Sequence, residues 1–132
     1  MACHISVRTE TKNGSRRELY RKSLGAEETL FTYWHVPAFE IELPLLAQIY
    51  HDGLEVRGEL LDVLLLELQR LEEHWQSNGI GDLHQIPCAV RQPDGGLAQG
   101  HVSLNEHLLA KLALAREAIR IAKQSGGVVE IS

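Results

Sequence analysis

"HISVRT", residues 4–9, alternates His4, Ser6 and Arg8 with Ile5, Val7 and Thr9, and a period of two predicts a half-buried strand. "TKNGS" breaks the pattern. Ser15 and Glu18, three apart, have the form of a capping box, in which hydroxyl and carboxylate satisfy each other's backbone N–H groups. A short helix is predicted from there, ending before Gly25. "TLFTYWHV", residues 29–36, is rich in aromatic and β-branched side chains and stops at Pro37, which predicts a second strand. "FEIEL" alternates again up to Pro44, a residue suited to open a helix, and "LLAQIYHD" then predicts a short helix that Gly53 ends in the left-handed conformation.

The strongest helical period covers residues 56–77. Leu60, Leu64, Leu68, Leu71 and Trp75 recur at three- and four-residue spacing, and Leu61 and Leu65 widen the stripe. Val63 and Leu66 fall on the other side, among Glu59, Arg70 and Glu73, so they need cover from a loop of the same chain, a second subunit or a partner. "IPCAVRQPDGGLAQGHVSL" places a Pro-Asp-Gly-Gly turn between two short apolar runs and predicts a hairpin over 86–102. Ser103 and Glu106 make a second capping box, opening a helix to about residue 124. Its core stripe is Leu104, Leu108, Leu112, Ala115, Ile119 and Ala122, with Ala110, Leu114 and Ile121 as a second band. Gly126 and Gly127 end it, and "VVEIS" is a closing strand. Strands and helices alternate without regular βαβ spacing. The expected class is therefore α+β: a two-layer sandwich of a small, mostly antiparallel sheet with two long helices (56–77 and 104–124) and two short ones on one face.

Length and composition bound this picture. A chain of 132 residues, 44% hydrophobic and 23% charged, fits one domain, 1–132, with one core. The longest aliphatic run, Val63 to Leu66, is far short of the roughly 20 residues that cross a bilayer. "MACHISVRTE" lacks the charged head and apolar stretch of a secretory signal, so a cytoplasmic location is expected. Cys3 and Cys88 form no C-x-x-C unit and are expected to be free thiols.

Charge is unevenly spread. Residues 1–25 carry six Lys/Arg against two acids, and residues 26–85 carry twelve acids against two bases. "RRELYRK" has no aromatic interleaving and belongs to a chain of net charge −5, so no nucleic-acid partner is expected. Glu40, Glu42, Asp52, Glu55, Glu59, Asp62, Glu67, Glu72 and Glu73 either meet a basic protein surface, where complementary potential speeds association, or form a solvated face.

Candidate chemistry begins with His51-Asp52 in "IYHDGLEVRGEL". Phosphohydrolases of the HD type hold metal ions with a His, a His-Asp pair and a distant Asp; here the set would be His35, His51, Asp52 and Asp62 or Asp82. Against this, the chain is short, His35 is predicted on a strand, and Gly53 ends the helix where rigidity is wanted. The plainer reading makes His51 a helix-end histidine complementing the dipole. The other histidines, His4, His74, His84, His101 and His107, show no H-E-x-x-H spacing, leaving a zinc site from distant segments as the alternative to solvent-facing rings. No serine sits in a G-x-S-x-G elbow, since Ser15 and Ser103 are explained by capping, and spacing alone gives Cys88 no activating neighbour. The glycine pairs 95–96 and 126–127 match no phosphate-binding pattern. No catalytic residue, metal or cofactor is assigned.

"LPLLAQIYHDGLEVRGELLDVLLLELQRLEEHW", a loop, and "SLNEHLLAKLALAREAIRIAKQSGGVVEIS" together resemble the layout of small bacterial immunity proteins of polymorphic toxin systems, over about residues 43–131. The resemblance implies a non-catalytic protein that binds and blocks a cognate toxin; the acidic surface would suit a basic one, and no membrane partner is expected from so short an apolar run. It transfers no catalytic residue. The expected contact set is Asp52, Glu55, Glu59, Asp62, Val63, Leu66, Glu67 and Glu73. The alternatives are a small metal-dependent hydrolase using His51 and Asp52, and a homodimer joined through the second face of the long helix.

Overall fold

The computed structural model describes residues 2–10, 16–49, 53–77 and 85–132. The N-terminal alternation builds β1 (Ala2–Glu10), with Cys3, Ile5 and Val7 buried and His4 and Ser6 between them half-buried. β1 pairs antiparallel with β2 (Arg16–Ala26) on one side and β6 (Val128–Ile131) on the other, and β3 (Leu54–Val56) pairs antiparallel with β6. The order of this sheet is β2-β1-β6-β3. β4 (Gln85–Arg91) and β5 (Leu97–Ser103) form a separate hairpin over the predicted span. Its turn is fixed by Gln92 N donating to Gly96 O at 2.7 Å and by Asp94 Oδ1 accepting from Gly96 N at 2.9 Å. The architecture is the expected α+β class.

β2 stands where a short helix is predicted. Glu18 is no capping partner; it lies opposite Arg8 in the ladder, with Tyr20 opposite Val7, and Ser15 is outside the described residues. Asn13-Gly14, the dipeptide favoured in two-residue hairpin turns, is the sequence signal that competes with the capping box.

The strand predicted at 29–36 is helical. α1 (Glu27–Leu30), one π-helical turn (Phe31–His35) and α2 (Val36–Glu40) run on as one rod. "TLFTYWHV" has β propensity, but Leu30, Trp34 and Ala38 recur every four residues and are fully buried. The whole β-propensity scale spans only about 1 kcal/mol, whereas burying one large apolar side chain contributes about 1.5–3 kcal/mol, so the helical stripe wins. Pro37 has no N–H to return to the carbonyl four residues back, that of Tyr33. Trp75 Nε1 donates to that carbonyl instead, at 2.6 Å, and the Trp34 and Trp75 rings meet edge-on with centroids 5.8 Å apart.

"FEIEL" is accordingly the end of the rod and not a strand. Ile41 N donates to Pro37 O at 2.9 Å and Leu43 N to Ala38 O at 2.7 Å, while Glu42 takes the left-handed conformation (φ 59°) that helix ends usually give to glycine. Of the helix predicted over "LLAQIYHD", the described residues form a 3-10 turn, Leu46–Gln48; Gly53 is left-handed as predicted (φ 79°), and Tyr50, His51 and Asp52 lie outside the described residues.

α3 (Leu60–Ser77) starts later than its periodicity suggests, because Leu54–Val56 join the sheet and Gly58 turns the chain with φ 60°. Leu61, Leu64, Leu68, Leu71 and Trp75 are buried, but Leu60, in the first turn, and Leu65, at the margin of the stripe, are exposed. α4 (Leu104–Ser125) follows its prediction closely. Ser103 Oγ accepts from Glu106 N at 3.1 Å, Gly126 closes the helix at φ 68°, and all six stripe residues are buried. α4 packs against β1 and β2, α3 packs against α4 and β3, and the buried residues form one cluster.

The first turns of α4 meet the end of β2. Lys111 Nζ donates to Ser23 O at 3.1 Å, and a Cβ added at Gly25 would stand 3.5 Å from His107 Nε2, so the imidazole packs against backbone. Burial first, then Lys111, pushes the His107 pKa below its usual value. The unfolded chain therefore binds this proton more readily. Stability associated with His107 is complete above pH ~6.5 and is lost as pH falls through the lowered folded value. Urea denaturation between pH 8 and 5 should show that decline, and His107→Gln should remove this component of it.

Candidate functional site

α3 is tied down along both flanks. On one side Lys123 and Arg116 of α4 pair with Asp62 and Glu72, the second at 3.1 Å. On the other, Arg70 Nη2 donates to Ile41 O at 3.5 Å and His74 Nε2 lies 3.8 Å from Glu40 Oε2. Between the flanks runs an outer ridge. Leu66 and Glu73 are seven residues apart, which places them on one line of the helix, with Val63 one turn from Leu66 and Glu59 in the turn that leads into it. Leu66 and Val63 are 58% and 41% exposed. Of the three sources of cover for this pair, a loop of the same chain is not what the described residues provide.

The expected contact set divides. Asp62, Val63, Leu66 and Glu73 are exposed on α3, and Glu59 is exposed in the turn just before it. Glu67 does not belong with them. It is only 4% exposed, its carboxylate accepting from Leu45 N at 3.2 Å and from Leu46 N at 3.0 Å, the free N–H groups at the start of the 3-10 turn. Glu55 lies in the other layer. The ladder brings Ser6, Glu130 and Glu55 side by side on the sheet face away from the helices, where Arg8 joins Glu55 at 2.7 Å and also pairs with Glu130. The hydrogen bond from Arg8 holds the Glu55 carboxyl below its ordinary range. Asp52 lies outside the described residues.

The acids of the middle third are therefore dispersed. Glu67 is buried, Glu55, Asp62 and Glu72 are paired with cations, and Glu40 faces His74. Glu59 and Glu73 have no cationic partner among the described residues. What the ridge offers is an apolar pair flanked by two acids.

His35 is on the helical rod and not a strand, 8% exposed, with its ring between Phe31 and Phe39 at centroid distances of 5.5 and 5.0 Å. Asp62 is engaged by Lys123, and His51, Asp52, Asp82 and His84 lie outside the described residues. Among the described residues no three of His, Cys, Asp and Glu are grouped to hold a metal ion. Cys3 is a buried free thiol whose pKa is raised, by burial first and then by Glu27. No helix among the described residues is long and apolar enough to cross a membrane.

Sequence reasoning missed a second surface, an apolar groove beside Phe39 at the end of the rod. Its signal was Phe31, His35 and Phe39 at four-residue spacing, legible only once the segment is known to be helical. The chain matches no family model, no curated protein and no solved structure.

Proposed function

We propose that the chain is a non-catalytic, cytoplasmic binding protein that blocks a protein partner by laying the outer ridge of α3 against it. The exposure of Val63 and Leu66 carries this reading. Each leaves apolar area in water, and covering it is worth about 25 cal/mol per Å². The flanking Glu59 and Glu73 favour a partner with a basic surface, and the order of elements over residues 43–131 supports an immunity protein whose partner is a toxin. A second copy of this chain is the competing occupant of the ridge, and sedimentation of the purified protein alone distinguishes it.

Co-expression with the product of the adjacent gene tests the reading. The two proteins should elute as one complex from a sizing column, and Leu66→Asp should separate them without lowering the melting temperature. Separate elution of the wild-type pair would contradict it.

A further inference from the structure

The groove at the end of the α1–α2 rod is a different surface from the α3 ridge, and nothing in its description depends on that ridge. It is an open, mostly apolar cleft of about 420 Å³ lined by Ala38, Phe39, Glu42, Leu43, Pro44 and Ala47. Its walls are fixed. Leu43 N donates to Ala38 O at 2.7 Å, Ala47 N to Leu43 O at 3.0 Å and Gln48 Nε2 to Pro44 O at 3.0 Å, and the Glu67 carboxylate holds Leu45 N and Leu46 N from below. A groove braced in this way loses little freedom when it is filled.

Two side chains at its rim are otherwise unexplained. Phe39 is 59% exposed. Glu42, the only charged residue lining the groove among the described residues, has a backbone φ of 59°, a conformation that disfavours side chains and suits glycine. The Glu42 side chain is exposed and makes no hydrogen bond or ion pair among the described residues that would offset this strain. Glu42 thus sets one negative charge beside an apolar floor.

We infer that this groove docks a polypeptide segment presenting an apolar side chain next to a lysine or arginine. The floor takes the apolar side chain, against Phe39 and Leu43, and Glu42 pairs with the cation at the rim. An anionic or wholly apolar segment lacks this match.

Two small probes sharing a ring and differing in charge test the inference on the intact protein. Phenylethylammonium carries the ring and a cation; phenylacetate carries the ring and an anion. In amide-resolved NMR titrations, phenylethylammonium should shift Ala38, Leu43 and Ala47 saturably, and phenylacetate should not at the same concentration. Glu42→Gln should weaken the ammonium probe about threefold, as for a surface ion pair, and Phe39→Ala about tenfold. Glu106→Gln, an acid on another element, should leave it unchanged, which separates the groove from attraction to the chain's net negative charge. Leu66→Asp should also leave it unchanged, so the two surfaces succeed or fail separately. The inference is overturned by an absence of saturable shifts at those amides, by equal binding of phenylacetate, or by indifference to both Glu42→Gln and Phe39→Ala.

Discussion

Replacing Glu67 with alanine is expected to destabilise the fold by about 3 kcal/mol, a large fraction of the stability of a domain this size. The reason is asymmetry. The carboxylate is nearly inaccessible and accepts from two backbone N–H groups that nothing else satisfies, so deleting it leaves both donors buried without partners. Glutamine keeps one acceptor oxygen at the same reach and should lose only about 1–2 kcal/mol. Urea denaturation gives both values, and hydrogen exchange localises them. The amides of Leu45, Leu46 and Ala47 should exchange faster in Glu67→Ala, while those of α4 change only with global stability. A glutamine variant as stable as wild type would mean that the side chain contributes bulk and not the hydrogen bonds of a carboxylate.

Trp75 is expected to be the most sensitive position. Trp75→Ala should lose about 3–5 kcal/mol, since it empties a fully buried site against Trp34. Trp75→Phe is more informative. It retains much of the packing but deletes the N–H that serves the Tyr33 carbonyl, to which Pro37, four residues on, has no N–H to offer. A loss of about 2 kcal/mol is expected from the orphaned carbonyl and the smaller ring together. Pro37→Ala restores a donor four residues from Tyr33, so the double variant Trp75→Phe/Pro37→Ala should be more stable than the sum of the two single changes by about 1 kcal/mol. Strict additivity of the two would show that the indole N–H and the proline are not linked through that carbonyl.

These two residues also show where the sequence was legible. α4 was readable from end to end, because capping serine, six-residue stripe and closing glycines all point to one helix. The hairpin at 92–96 and the strands β1 and β6 were readable for the same reason. Two segments misled. In 29–36 the residue types favour a strand, and the four-residue spacing of Leu30, Trp34 and Ala38 becomes decisive only when a core exists to bury it. At 15–25 a plausible capping box stood against Asn13-Gly14, and pairing with β1 decided the outcome.

The candidate site was half legible. The period of α3 already put Val63 and Leu66 opposite the core, and they are exposed there. The same period put Glu67 inside the arc of Leu64, Leu68 and Leu71, yet its charge suggested the surface; only the unsatisfied N–H groups of a distant loop explain its burial. Ion pairing is likewise tertiary. Neither Arg8 across the sheet nor Lys123 and Arg116 across the helix pair can be inferred from local spacing, and together they break up the acidic run.

The most direct measurement is a calorimetric titration of the purified adjacent-gene product into wild-type protein and into Leu66→Asp. A ridge that carries the contact predicts binding weakened about 30-fold or more by Leu66→Asp, with melting within about 2 °C of wild type and Glu55→Gln without effect. Equal affinity for wild type and Leu66→Asp would contradict the account.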